Sequence, residues 1–207
     1  MKRTTLLLAA FCLAGLTTAG DDLRPLFNGK DLKGWQTEGN WMVEKDGVVA
    51  LTPRPGEKGW ERYGSYLWTD RTYGDFVIDL EYKHGKGGNS GVFIRTKDIK
   101  KDSPKSGIEV QILDSYGKKE KLTHHDCGGV IGTCPPSKNM AKPAGEWNRM
   151  TVSCKGTQLK VNLNGEEIVD IDLSKTPMKD RPLTGYIGIQ DHGEPFWVRN
   201  VKFKELK

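Results

Sequence analysis

The chain has 207 residues, 36% of them hydrophobic and 29% charged, with a formal net charge of +5. Its lysines are interspersed with acids, as in "KDIKKDSPK" and "YGKKEKL", and no RNA-reading aromatic motif accompanies them, so the runs read as solvated loops and not as a nucleic-acid surface. Beyond residue 20 there is no hydrophobic stretch of about 18 residues, which excludes a helical membrane span there.

The chain begins "MKRTTLLLAAFCLAGLTTAG", with Lys2 and Arg3, an apolar run from Leu6 to Leu16 and small residues near Ala19. That is the pattern of a secretory signal peptide over residues 1–20, and it predicts a periplasmic or extracellular protein. Phe11 before Cys12 is too bulky for lipoprotein processing. Residues 21–207 have the length of one all-β domain, and neither a repeat nor a linker divides them.

Further along, the apolar residues recur with a period near two. "GDFVIDLEYKH" sets Phe76, Ile78, Leu80 and Tyr82 on one face and Val77, Asp79, Glu81 and Lys83 on the other. Similar runs follow in "SGVFIRT", "GIEVQILD", "NRMTVSCKG", "TQLKVNLNG", "EEIVDIDL", "TGYIGIQDHG" and "FWVRNVKFKEL", separated by Gly, Pro, Asn and Asp clusters. "KGTQ" and "LNGEE" are hairpin signals. Roughly ten to thirteen strands, with no amphipathic helix to cover a parallel sheet, predict an all-β fold of two packed antiparallel sheets, a sandwich or jelly roll.

The candidate site comes from the other side of those strands. In "GIEVQILD", Ile108, Val110 and Ile112 point to one face while Glu109 and Gln111 point to the opposite one. The same alternation puts Arg95 with Phe93 and Gly91, and Gln190 and His192 with Tyr186 and Gly188. If the strands bearing Glu81, Arg95 and Glu109 share a sheet, acid, amide, guanidinium and imidazole converge beside Trp197, the tryptophan expected to touch a ligand. Such groups bind sugars by planar hydrogen bonding and ring stacking. "KGGNSG" adds Asn89 and Ser90 as donors at the rim and carries no phosphate-loop signature. Asp114 follows Glu109 by five residues, so a bulge would be needed to bring it to the same face. The competing reading is a solvated outer face on which Glu81 and Arg95 form an inconsequential ion pair.

His124 and His125 lie in the Gly- and Pro-rich loop "HHDCGGVIGTCPP", where a rim or substrate-contact role competes with simple solvent exposure. In an oxidising compartment a Cys127–Cys134 disulfide is expected there, with Cys154 left as a buried thiol. Zinc held by His124, His125, Asp126 and Cys127 is the rival arrangement.

Two resemblances add to this reading. Glu109, Gln111 and Asp114 resemble the strand that carries the catalytic carboxylates of laminarinase-type glycosidases, with an amide replacing the middle acid. That replacement speaks against a retaining double displacement, which needs two carboxyl groups about 5 Å apart. Taken in order, "LFNGKDLKGW", "YGDFVIDLEYK", "GGNSGVFIR", "EVQILD", "GEWN", "LNGEEIVD" and "GYIGIQDHGEPFWVRNVKFKEL" resemble the 3-keto-disaccharide hydrolase domain family of secreted bacterial proteins, from about Leu26 to Leu206. The resemblance implies a concanavalin-like jelly roll that cleaves glycosides already oxidised at C3. On such a substrate Glu109 or His192 would serve as base or acid. Arg95, Gln111, Gln190 and a divalent metal ion are candidates to polarise the ketone. The alternative is a non-catalytic carbohydrate-binding domain using the same face.

Overall fold

Alternation of apolar and polar residues produces strands whose greasy faces must be covered, and here two sheets cover each other. The computed structural model describes residues 22–101 and 103–207, so the expected signal peptide lies outside the described residues. The strands are β1 (Arg24–Pro25), β2 (Trp35–Gln36), β3 (Trp41–Val43), β4 (Val49–Leu51), β5 (Leu67–Thr69), β6 (Phe76–His84) and β7 (Asn89–Thr96). They continue with β8 (Ile108–Leu113), β9 (Asn148–Lys155), β10 (Gln158–Leu163), β11 (Glu166–Asp172), β12 (Tyr186–Ile189) and β13 (Phe196–Glu205). An eight-stranded sheet runs β11-β10-β9-β6-β13-β4-β3 with β1 also on β13, and a five-stranded sheet runs β2-β5-β12-β7-β8. The long neighbours pair antiparallel throughout.

Phe76, Ile78, Leu80 and Tyr82 of β6 share one buried cluster with Val92 and Ile94 of β7 and Ile108, Val110 and Ile112 of β8. Each such side chain removed from water contributes about 1.5–3 kcal/mol, so these stripes fix which face of each strand turns inward. Asn164 and Gly165, with φ of 53° and 94°, form the tight turn between β10 and β11, as the Asn-Gly pair predicts.

The cysteine loop closes the free edge of β8. Gln111 N–H donates to Gly129 O and Gly128 N–H to Gln111 O, both at 2.8 Å, and Ile131 N–H donates to Glu109 O at 3.0 Å. The loop therefore acts as an added edge segment that removes an open row of backbone groups. Its cysteines do not pair as expected: Cys127, Cys134 and Cys154 are all free thiols. Cys127 is drawn into the core, 2.9 Å from the Tyr82 hydroxyl, while Cys134 is tied by backbone bonds to Val130 at 2.9 and 3.1 Å. Cys154 is buried as expected, and burial pushes its thiol up to about 12.

The alternation fails at one expected site residue. On β7 the partners Phe93 and Thr96 face Gly188 and Tyr186 of β12, so β7 carries one extra residue. Arg95 takes a φ of 52° at that bulge. Bulges re-aim side chains. Arg95 leaves the Phe93 face, is fully buried, and bonds Asp75 Oδ1 at 2.9 Å, Gly156 O at 2.7 Å and Gly74 O at 3.1 Å. It ties together the ends of the two sheets. Arg95→Met removes a fully buried guanidinium with its three hydrogen bonds to partly buried acceptors and is expected to lower the unfolding free energy by about 3 kcal/mol. Urea denaturation checks this as a fall in midpoint at unchanged slope.

Candidate functional site

The outer face of the five-stranded sheet begins as an aromatic bed. Tyr66, Trp68 and Phe93 are buried against one another, Tyr66 with ring centroids 5.5 Å from Trp68 and 5.4 Å from Phe93. The glycines of this face make room for particular side chains. A Cβ at Gly188 would enter the Trp68 ring, and one at Gly91 would lie 2.5 Å from Glu109 Oε1 and 3.0 Å from its Cγ. Gly91 thus lets Glu109, whose Cα partner across the ladder is Phe93, fold its carboxyl over β7. Half-buried there, Glu109 has its pKa raised to about 8, and burial is the cause.

Above this carboxyl opens a cavity of about 380 Å³, a size suited to a small ligand. Asn89, Glu109, Gln111, Gln190 and His192 line it, together with His125, Trp60, Pro104 and Ile131. The fold thus brings two catalytic candidates and four of the binding candidates to one hollow, His125 by way of the loop that pairs with β8. Gln190 is anchored on every side but one. Its N–H donates to Gly91 O at 2.9 Å, its carbonyl accepts from Ser90 Oγ at 2.9 Å, and its Nε2 donates to the Tyr66 hydroxyl at 3.0 Å. Tyr66 in turn donates to Trp60 O at 2.7 Å. Gln190 Oε1 is buried with no donor among the described residues.

His192 stands beside this amide, with its Nε2 3.2 Å from Asn89 Nδ2. Its carbonyl accepts from Gly59 N–H at 3.1 Å, and nearby Glu194 Oε2 accepts from Asn89 N–H at 3.1 Å. The preceding Asp191 is fully buried, accepting from Arg62 Nη2 at 2.6 Å and from Gly193 N–H at 2.8 Å. Burial nonetheless raises the Asp191 pKa, against the opposing pull of Gly193 and Arg62. This pair holds the wall from which His192 projects.

Other expected members lie elsewhere. Glu81 belongs to the eight-stranded sheet, where its Oε2 accepts from Arg199 Nε at 2.7 Å. Trp197 is on the same sheet, its ring 4.8 Å from Lys83 Nζ. The expectation that both reach the hollow requires their strands to join the sheet of Glu109, and the strand order separates them. Ser90 points inward with Val92 and Ile94 and supports Gln190 instead of facing the cavity. Asp114 stays off the Glu109 face because β8 ends at Leu113; its Oδ2 accepts from Gly87 N–H at 2.8 Å and fastens the β6–β7 turn. His124 packs its ring 4.1 Å from that of His125 and accepts from Gly132 N–H at 3.1 Å, so it braces the rim from behind. Partial burial and the neighbouring His125 hold its pKa below the usual imidazole value.

Trp60, Tyr66, Arg62 and Asp191 were not singled out as site residues. The dense aromatic stretch "GWERYGSY" was the available signal, since the segment ahead of β5 folds back on His192 and leaves Trp60 42% exposed at the cavity. Among the described residues no three His, Cys, Asp or Glu side chains form a group that could hold a metal ion. The loop residues proposed for zinc are accordingly apart: Asp126 is paired with Lys118 Nζ at 2.7 Å while Cys127 points to Tyr82.

This chain is 27% identical over 92% of its length to a 3-keto-disaccharide hydrolase of Bacteroides thetaiotaomicron, covering 81% of that protein. It superimposes on a Parabacteroides distasonis protein assigned as a glycosyl hydrolase with a TM-score of 0.76, at 30% identity, covering 90% of this chain and 100% of the other. A Bacillus subtilis carbohydrate-binding module shares the fold alone, at a TM-score of 0.58 and 14% identity over 83% of this chain and 96% of that one. Residues 22–204 match the 3-keto-alpha-glucoside-1,2-lyase-like domain, and the chain belongs to that family.

Proposed function

We propose that this is an exported enzyme that cleaves the glycosidic bond of sugars carrying a ketone at C3, by removing the C2 proton and expelling the aglycone from C1. The observation that carries this reading is the placement of Glu109, whose carboxyl folds over Gly91 at the cavity on a bed of uncharged rings. With a pKa of about 8, its carboxyl keeps a proton at neutral pH. A neutral acid in an aromatic bed can donate a hydrogen bond to a ketone oxygen and hold the negative charge that develops there. A sugar without the ketone offers no such charge.

His192 is the base in this scheme. In the present amide orientation Asn89 Nδ2 faces His192 Nε2, and Asn89 Oδ1 is buried without a donor among the described residues. Exchanging the amide oxygen and nitrogen, which are told apart only by their partners, gives Oδ1 the proton of Nε2 and leaves the second ring nitrogen with a free lone pair. That nitrogen takes the C2 proton. The C–H electron pair forms an enolate whose oxygen is held by Glu109. Collapse of the enolate restores the ketone, forms the C1–C2 double bond and releases the aglycone oxygen with the C1–O electron pair and a proton from the imidazolium. Water adding at C1 then completes hydrolysis.

Purified protein should turn over a 3-keto-glucoside and leave the unoxidised glucoside untouched; retention on immobilised polysaccharide without any turnover would favour the binding-domain alternative. Glu109→Ala should cost about 10²–10³ in kcat. Glu109→Gln, which keeps an N–H donor, should retain more activity than Ala and lose the fall in rate that the wild type shows as pH rises through about 8. His192→Ala should cost about 10²–10⁴, and a chelator in the same assay reports on a divalent ion.

A stability measurement tests Glu109 independently of turnover. Its folded-state pKa of about 8 lies above the ordinary 4.5, so the unfolded chain ionises first as pH rises. Its favourable contribution is complete below about 4.5 and is lost progressively up to about 8. The Tm of Glu109→Gln minus that of the wild type should therefore grow between pH 5 and 8 and level off above, as thermal unfolding across that range would record.

A further inference from the structure

We infer that Gln190 is a specificity-determining residue that accepts a hydrogen bond from a hydroxyl adjacent to the substrate ketone, so the site selects sugars that flank the carbonyl with hydroxyls. This rests on the function proposed above and assigns Gln190 the role of acceptor, opposite to that of a donor polarising the ketone.

The orientation of the amide is fixed by chemistry. Tyr66 gives its only proton to Trp60 O, 2.7 Å away. Its oxygen can then only accept from Gln190, so the atom 3.0 Å from it must be Nε2 and the remaining atom must be the carbonyl oxygen. Gln190 is 4% exposed and lines the cavity, yet its Oε1 has no donor among the described residues. A buried carbonyl left without a donor costs roughly 1–3 kcal/mol, a penalty that a ligand hydroxyl removes.

Position sets this acceptor beside Glu109. Gln190 bonds Gly91 from one side, at 2.9 Å between its N and the Gly91 oxygen. The Glu109 carboxyl lies over the same glycine from the other side. The two strands that flank β7 stand roughly 4.8 Å to either side of it, and their long side chains converge above the bare backbone between them. The site thus sets a donor, Glu109, next to an acceptor, Gln190. A ketone carbon in a pyranose presents the complement, a carbonyl oxygen beside hydroxyls on both neighbouring carbons. A site built to bond a hydroxyl rejects the analogue that lacks it more strongly than an apolar pocket rejects a missing methylene.

The test compares a 3-keto-glucoside with its 2-deoxy and 4-deoxy analogues, as substrates and by calorimetric binding, on wild type and on Gln190→Met. The wild type should disfavour one deoxy analogue by about ten- to a hundredfold, and Gln190→Met should compress that ratio to less than about threefold by weakening the parent sugar. Tyr66→Phe, which frees the amide to turn, should compress it partly and serves if Gln190→Met does not fold. Equal affinity of the wild type for all three sugars, or a ratio unchanged in both variants, overturns the inference. Absence of turnover with discrimination intact in the binding measurement overturns the reaction and leaves the role of Gln190 standing.

Discussion

The arrangement depends on a carboxylic acid that has been taken out of water without being given a cation. Glu109 can occupy that position because residue 91 has no side chain, since any Cβ there would collide with the carboxyl. Beneath it the Tyr66, Trp68 and Phe93 rings offer no charge to stabilise an anion. Desolvation then favours the neutral form, so Glu109 holds its proton to a higher pH than an exposed glutamate. The stretch "GIEVQILD" explains both halves of this: its isoleucines and valine seal the sandwich, and the alternation that buries them sets Glu109 on the opposite face.

The walls around that acid are built from segments remote in sequence. The loop of residues 124–134 adds itself to β8 through backbone bonds to Glu109 and Gln111, which carries His125 and Ile131 to one side of the hollow. Across from it, the segment ahead of β5 is held by Gly59 on His192 and by Tyr66 on Trp60. Apart from the Tyr66 hydroxyl, these ties are main-chain hydrogen bonds in which the side chain's identity counts little. The loop's composition of Gly, Pro and Cys suggested a disulfide or a metal clip. Edge pairing performs that positioning instead, with Cys127 serving as a small core residue under Tyr82.

How much of this could be read from sequence follows from what alternation does and does not encode. It specifies which side of a strand a residue occupies, so Glu109 with Gln111 and Gln190 with His192 were legible as partners on a face. It does not specify which sheet a strand joins. Glu81 and Trp197 obey their own parity and still end up on the eight-stranded sheet. Nor does it survive a bulge: one extra residue in β7 sends Arg95 into a buried bond network between the sheets. Trp60 was illegible for another reason, since it lies on a segment without period whose position is set by long-range hydrogen bonds.

The two outer faces separate function from structure by how completely their polar atoms are satisfied. On the eight-stranded sheet, Asp79 is met by Arg149 at 2.9 Å and by Thr151 at 2.5 Å, and Glu81 by Arg199 at 2.7 Å. Those charges answer one another and ask nothing of a ligand. Around β12 and the segment packed on it the opposite holds: Gln190 Oε1, Asp191 Oδ2 and Arg62 Nε are all buried without partners among the described residues. Folding tolerates such groups rarely, because each carries a desolvation cost that a paired arrangement avoids. Their concentration beside a carboxyl that is itself held away from charge marks this hollow as the face with unmet hydrogen-bonding capacity, the property that the proposed sugar site requires, whereas the charges of the other face satisfy one another.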